Sequence, residues 1–165
     1  MLQLINSKLI KIRDVFNSDR VWICEFHNGG HTFSGKSLQK FSQTYEVVQK
    51  GISKEGVSTQ NLPTSLFSTF FNSVANKGEV YVNDVERDDN ILVNSLKSFF
   101  DTRGVKSFAA SIIKNIEGKM IGVLCIDFVT SKERFTREEI TLLKEDASVL
   151  AGYLENQVKW ILKTL

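Results

Sequence analysis

Apolar residues at Leu2, Ile5, Leu9, Ile12 and Phe16 recur at intervals of three and four, the seam of a short amphipathic helix that Asn17-Ser18-Asp19 ends. Arg20 to Phe26 (RVWICEF) concentrates β-branched and aromatic residues and predicts a strand, followed by a Gly-containing loop from His27 to Gly35. Phe41 to Val48 stays open: Phe41, Tyr45 and Val48 suit a helix, whereas Thr44-Tyr45 and Val47-Val48 suit a strand. Residues 49–62 are polar and Gly-punctuated, a long loop. Pro63 to Lys77 predicts a helix with an apolar stripe of Leu66, Phe67, Phe70, Phe71 and Val74, stopped by a left-handed cap at Gly78. Val80-Tyr81-Val82 is a short strand, and Asp88 or Asp89 is placed to cap a helix carrying Leu92, Leu96, Phe99 and Phe100 up to Gly104. Val105 to Lys114 and Lys119 to Phe128 then form a hairpin through Glu117-Gly118. The last helix has the clearest start: Thr136 with Glu139 makes a capping box, and Phe135 with Ile140 a hydrophobic staple. Its seam runs Ile140, Leu143, Ala147, Leu150 and Leu154, continuing less regularly through Val158 and Ile161.

Composition narrows this picture. A chain of 165 residues with a 42% apolar fraction has room for one ordinary core, expected as a single domain over 1–165. Within it, residues 1–17 form the N-terminal helix, 20–128 the sheet and pocket helices, and 136–163 the C-terminal helix. A net charge of +2 is too balanced for a nucleic-acid footprint, and Lys36, Lys40, Lys50 and Lys54 read as a solvated face. Two cysteines, Cys24 and Cys125, supply neither a disulfide framework nor a four-ligand zinc site, which points to a reducing cytoplasm. Charges at Lys8, Lys11 and Arg13 break up any leader-like core, and no apolar run reaches the ~20 residues of a membrane span.

The element order resembles the GAF domain. The motifs that carry the likeness are Val80 to Asp88 (VYVNDVERD), Gly104 to Phe128 (GVKSFAASIIKNIEGKMIGVLCIDF) and Phe135 to Asn156 (FTREEITLLKEDASVLAGYLEN). The likeness covers about residues 1 to 162, strongest over 78–157. It implies an α+β, PAS/profilin-like fold: a central antiparallel sheet with the terminal helices on one face and short helices and loops roofing a pocket on the other. It also implies a small-molecule ligand whose occupancy passes to a partner through the terminal helices. Particular chemistries of the family lack their residues. Bilin-attaching members need a cysteine in a loop or helix beside the pocket, whereas both cysteines here are mid-strand. Two separated cysteines also fall short of the set used on free methionine sulfoxide, and the cyclic-nucleotide signature does not follow Asn83-Asp84.

Several local motifs compete with or refine that reading. Gly30 to Ser37 (GHTFSGKS) fits the phosphate-binding pattern G-x-x-x-x-G-K-[ST], so an NTPase with Lys36 on phosphate and Ser37 on Mg²⁺ is an alternative. It would require parallel strands with crossover helices, which the C-terminal hairpin opposes. Glu25, His27 and His31 are a minimal metal-ligand set, but the loop glycines argue against a rigid cage, and no metal is expected. No nucleophile–base pairing is legible, and Asp84, Asp88 and Asp89 read more simply as turn formers and caps, so no catalysis is expected. The expected ligand site is instead one of recognition. Phe67, Phe71 and Phe100 supply apolar walls, and His27, Asn28, Tyr45, Asp84 and Ser111 supply orienting polar groups for a planar or anionic molecule of unknown identity. Val21, Ile23, Glu25 and His27 share one side of their strand, expected to turn polar toward the pocket. The helical seams, extended by Trp160, Ile161, Leu162 and Leu165, predict a homodimer or a separate effector protein, since one core leaves no residues for an output domain. The other reading is a pocketless scaffold that uses the same helical surfaces.

Overall fold

The computed structural model describes residues 1–164. Leu165 and the side chains of Val158, Trp160 and Thr164 lie outside the described residues, and with them the apolar contributions expected of Val158, Trp160 and Leu165. Ten elements follow the chain: α1 (Leu2–Phe16), β1 (Arg20–His27), β2 (Lys40–Val48), β3 (Leu62–Pro63), α2 (Ser68–Lys77), β4 (Glu79–Val82), α3 (Ile91–Arg103), β5 (Ser107–Lys114), β6 (Met120–Phe128) and α4 (Arg137–Thr164). The strands make one six-stranded sheet in the order β3-β2-β1-β6-β5-β4, every pairing antiparallel. The α+β architecture implied by the sequence is the one observed.

Most elements begin and end where the chain's chemistry dictates. Gly78 and Gly104 adopt left-handed φ angles of 82° and 67° and close α2 and α3, a conformation that costs a residue with a Cβ far more. Thr136 and Glu139 exchange reciprocal bonds, each backbone amide donating to the other's side-chain oxygen at 3.2 Å. Phe135 and Ile140 are both buried beside them. Three local expectations are corrected. Asn90, rather than Asp88 or Asp89, caps α3 by accepting from the Val93 amide at 3.0 Å. The stretch from Pro63 opens with a tight 3₁₀ turn, Thr64–Phe67, and only Ser68–Lys77 is α-helical. The open segment at 41–48 is strand β2, and the polar loop after it contributes the short edge strand β3.

The sheet separates two cores. On one face α1 and α4 cover an aliphatic layer that includes Ile5, Leu9, Ile23, Leu124, Ile126 and Leu143. On the other, α2 and α3 cover an aromatic layer that includes Trp22, Phe41, Phe70, Phe71, Phe100 and Phe108. Strand alternation deals β1 residues between them: Val21 and Ile23 to the terminal helices, Trp22 and Cys24 to the aromatic side. In β2 the alternation is interrupted. Ile23 pairs with Tyr45 while Cys24 pairs with Gln43, so Thr44 is an extra residue, a β-bulge that shifts the phase by one. Phe41 therefore belongs to the aromatic core while Tyr45 packs against the aliphatic one.

Candidate functional site

The aromatic face holds a slot between the sheet and the α2–α3 pair. Its walls are entirely apolar: Trp22, Cys24 and Phe41 from the central strands, with Phe67, Phe71 and Phe99 facing them from the helical side. The rings meet edge-on, Phe41 with Phe67 at 5.6 Å between centroids and Phe67 with Phe99 at 5.5 Å. They leave a void of about 20 Å³, room for a single water molecule and nothing larger. A shallower groove of about 390 Å³ lies next to the slot and shares Phe71 with it, lined also by Phe26, Thr64, Ser68, Asn72 and Met120.

One end of this face is charged and buried. Arg20 is 2% exposed and Asp127 fully buried; a guanidinium nitrogen of Arg20 stands 3.4 Å from the Asp127 carboxylate. Trp22 Nε1 donates to the other Asp127 oxygen at 3.0 Å. Both terminal nitrogens of Arg20 also donate to the main-chain carbonyl of Arg103, the last residue of α3, at 3.1 and 3.2 Å. Arg103 itself is 4% exposed, with its guanidinium carbon 4.2 Å from the Phe99 ring centroid and 5.1 Å from that of Trp22. Its Nη2 donates to Gln43 Oε1 at 2.9 Å and to the hydroxyl of Thr59. Burial lowers the Arg103 pKa, with Asp127 and then Glu55 acting in the opposite sense. Burial likewise raises Asp127, against the Trp22 hydrogen bond and the two arginines. Among the described residues, two donors in this cluster have no acceptor: Arg103 Nη1 and Gln43 Nε2.

The expected site residues divide among three places. Phe67 and Phe71 line the slot, and the fully buried Phe100 backs it through ring contacts with Phe99 and Phe108. His27, Tyr45 and Ser111 do not join them. The alternation placing His27 beside Val21 and Ile23 holds, but that side faces the terminal helices, and His27 Nε2 shares a 2.8 Å bond with Ser42. The bulge at Thr44 turns Tyr45 the same way, where its hydroxyl donates to Gln157 on α4 at 2.8 Å. Burial raises its pKa, helped by the Glu25 charge. Ser111 alternates with the slot-side Phe108, Ala110 and Ile112 and lines a groove against α4. Asn28 is an exposed turn residue with φ 52°. Asp84 forms a turn by accepting from the Glu86 and Arg87 amides, and its ion pair with Lys132 at 2.9 Å lowers its pKa.

The phosphate-loop alternative is overturned. Gly30–Ser37 folds into a tight turn closed by its own bonds, with the Thr32 amide donating to the Lys36 carbonyl at 2.8 Å and His31 bridged to Ser37. Strand β2 follows it instead of a helix, and the sheet has no parallel pair. Among the described residues no three His, Cys, Asp or Glu side chains converge as a metal site. Both thiols are buried, which pushes Cys24 up to about 12 and Cys125 well above its ordinary value.

The profile of the GAF domain family matches residues 4–154. The chain belongs to the GAF domain family. Its fold neighbours agree with that membership. A GAF domain of Synechocystis in a photoproduct state superposes with a TM-score of 0.70 at 16% identity, covering 99% of this chain and 98% of that one. The blue-light absorbing form of the PixJ GAF domain of Thermosynechococcus elongatus gives 0.68 at 14% identity, covering 98% and 92%. The chromophore-binding domain of a Stigmatella aurantiaca bacteriophytochrome gives 0.69 at 13%, covering 92% of this chain and 53% of that one. At these identities the likeness is one of fold. No curated protein sequence matches the chain. In this GAF domain the residues missed from sequence are Trp22, Gln43, Arg103 and the partnership of Arg20 with Asp127. One signal was present: Asp127 stands inside the apolar run VLCIDF, where a charge needs a buried partner.

Proposed function

We propose that this GAF domain is a non-catalytic, regulatory binder of a small planar molecule, taken up between the sheet and the α2–α3 pair. The observation that carries the reading is the unbroken aromatic and aliphatic lining of the slot, on one face only, with buried charge at one end. Apolar walls supply burial and a few polar groups set orientation, the usual composition of a recognition site. Nothing in the slot is poised as a nucleophile, since the Cys24 thiol is held protonated by burial. Uptake requires α2 and α3 to part, so occupancy changes the helical layer. We place the output on α1 and α4, where Leu4, Val15, Leu142 and Val149 remain exposed, through a homodimer or a separate effector protein. Buried, reduced thiols suit a cytoplasmic setting, and no described helix is long and apolar enough to cross a membrane.

A second reading rests on the same slot. With a void of only about 20 Å³ its aromatic residues already fill it, as in a pocketless scaffold that works through its helical surfaces. Native mass spectrometry of protein purified without denaturation, followed by a thermal-shift screen of metabolites, separates the two. A ligand at 100 times its Kd adds about 2.7 kcal/mol, a shift of a few degrees at this size. No co-purifying molecule and no shift in wild type or in Phe67→Ala selects the scaffold. Light scattering tests the dimer: a mass near 18.7 kDa at tens of micromolar counts against it.

A further inference from the structure

Among the described residues, Arg103 and Gln43 each keep one buried side-chain nitrogen without an acceptor. The Nη2–Oε1 bond joins the two side chains at 2.9 Å, and each is 4% exposed, yet Arg103 Nη1 and Gln43 Nε2 have no acceptor. A buried donor left without an acceptor is destabilising, so two on side chains in contact call for an explanation. The neighbouring carboxylates do not supply one. Asp127 is taken by Arg20 and Trp22, and Glu46 accepts from the Glu55 and Gly56 amides. Glu55 is held by Ser53 and stands 3.5 Å from Arg20. Among the described residues the acceptors that Arg103 meets are neutral: Gln43 Oε1, the Thr59 hydroxyl and the Glu55 carbonyl.

The aromatic slot begins on the other side of one ring. Phe99 lies against the Arg103 guanidinium and at the same time lines the void with Phe67 and Trp22. Phe99 and Phe67 are only half-buried, and the turn before α2 brings Phe67 to the helix start with no side-chain cap. Phe99 thus stands between the apolar slot and the Arg103 guanidinium.

We infer that the slot takes a planar aromatic carboxylate, its ring replacing Phe99 between Trp22 and Phe67 and its carboxylate accepting from Arg103 Nη1 and Gln43 Nε2. The inference rests on the small-molecule reading above and names the ligand's chemical class. A guanidinium presents two adjacent donors to a carboxylate, and the aromatic walls select a flat body.

The test measures binding of benzoate, benzamide and benzylammonium to the full chain by isothermal titration, with amide chemical shifts to locate the contact. Benzoate is expected to bind wild type at least tenfold more tightly than benzamide, with benzylammonium not bound and the Glu55 and Thr59 amides shifted. Phe99→Ala is expected to tighten benzoate several-fold, and Arg103→Met to erase the preference over benzamide, with Arg103→Lys in between. Equal affinity for benzoate and benzamide in wild type overturns the carboxylate assignment while leaving a slot that binds small molecules. A benzoate preference that survives Arg103→Met, or shifts confined to other surfaces, overturns the role of Arg103. If the Arg103 variants do not fold, the wild-type contrast and the shift map still decide. No binding of any probe by wild type or Phe99→Ala removes this inference, and with an empty metabolite screen the binding reading falls as well.

Discussion

The two faces of the sheet are built from different materials. Beneath α1 and α4 the buried layer is largely aliphatic, and the seam residues of both helices interdigitate with strand residues at low exposure. Beneath α2 and α3 the layer is rich in aromatic residues set among valines, its rings tilted or edge-on at 5.0 to 6.5 Å between centroids. Branched aliphatic side chains close up against one another, whereas flat rings meeting at angles pack around gaps. The charges divide too: the buried Arg20–Asp127 pair and Arg103 sit on the aromatic face, while the tie between α1 and α4, Lys8–Asp146, lies at the margin. One face is an aliphatic layer sealed by the terminal helices; the other combines aromatic rings with buried charge.

That contrast can be broken at its strongest point first. Asp127→Ala removes the buried carboxylate beside Arg20 and leaves Trp22 Nε1 without its acceptor, and is expected to cost about 3–5 kcal/mol in urea unfolding. A cost under 1 kcal/mol would mean that the charged end is hydrated and does not hold the aromatic face. Next, Leu143→Ala on the terminal-helix face is expected to cost about 2–5 kcal/mol, whereas Phe67→Ala on the half-buried lip of the slot costs about 1 kcal/mol. Only the second should change the response to planar probes, and equal costs would erase the distinction between the faces. Thr136→Ala removes the start signal of α4 and is expected to lower stability by about 1 kcal/mol without altering probe binding.

The smallest effect concerns the thiols. With Cys24 raised to about 12 and Cys125 well above its ordinary value, both stay protonated in the folded state. Unfolded thiols ionise near about 8.5, so their contribution to stability is complete below that pH and declines as pH rises from there toward 12. A thiol reagent at pH 8 should therefore label the protein only as fast as it unfolds. Rapid labelling of native Cys24 would show that the slot opens far more often than the packing suggests.

How much of this could be read from residues depended on whether the signal was local. The capping box at Thr136, the cap glycines Gly78 and Gly104 and the terminal seams are short-range patterns that set the element order, and the fold was implied by the resemblance of that order and its motifs to the GAF domain. The site did not. The β-bulge at Thr44 leaves no mark in β2, yet it decides that Gln43 faces the aromatic side and Tyr45 the opposite one. Arg103 next to Gly104 looks like an ordinary basic residue at a helix C-terminus. Its burial depends on Gln43, Glu55 and Thr59, more than forty positions earlier. The aromatic walls were legible because phenylalanine is apolar in any register, whereas an orienting polar group depends on which face its strand presents.

The bond from Arg20 to the last carbonyl of α3 makes that helix a lever with a fixed fulcrum. Its C-terminal end is pinned to the middle of the sheet, while its first residue, Ile91, stands largely in solvent. Were α3 to part from α2 it would pivot near Arg103, and its outer turns would travel further than Phe99, one turn from the pivot. The fulcrum is shared: Asp127 steadies Arg20 and precedes the segment where Asp19 holds the Val129 and Thr130 amides. A displacement of α3 would therefore load the junction where Arg20, Asp127 and Asp19 tie β1 to the approach to α4.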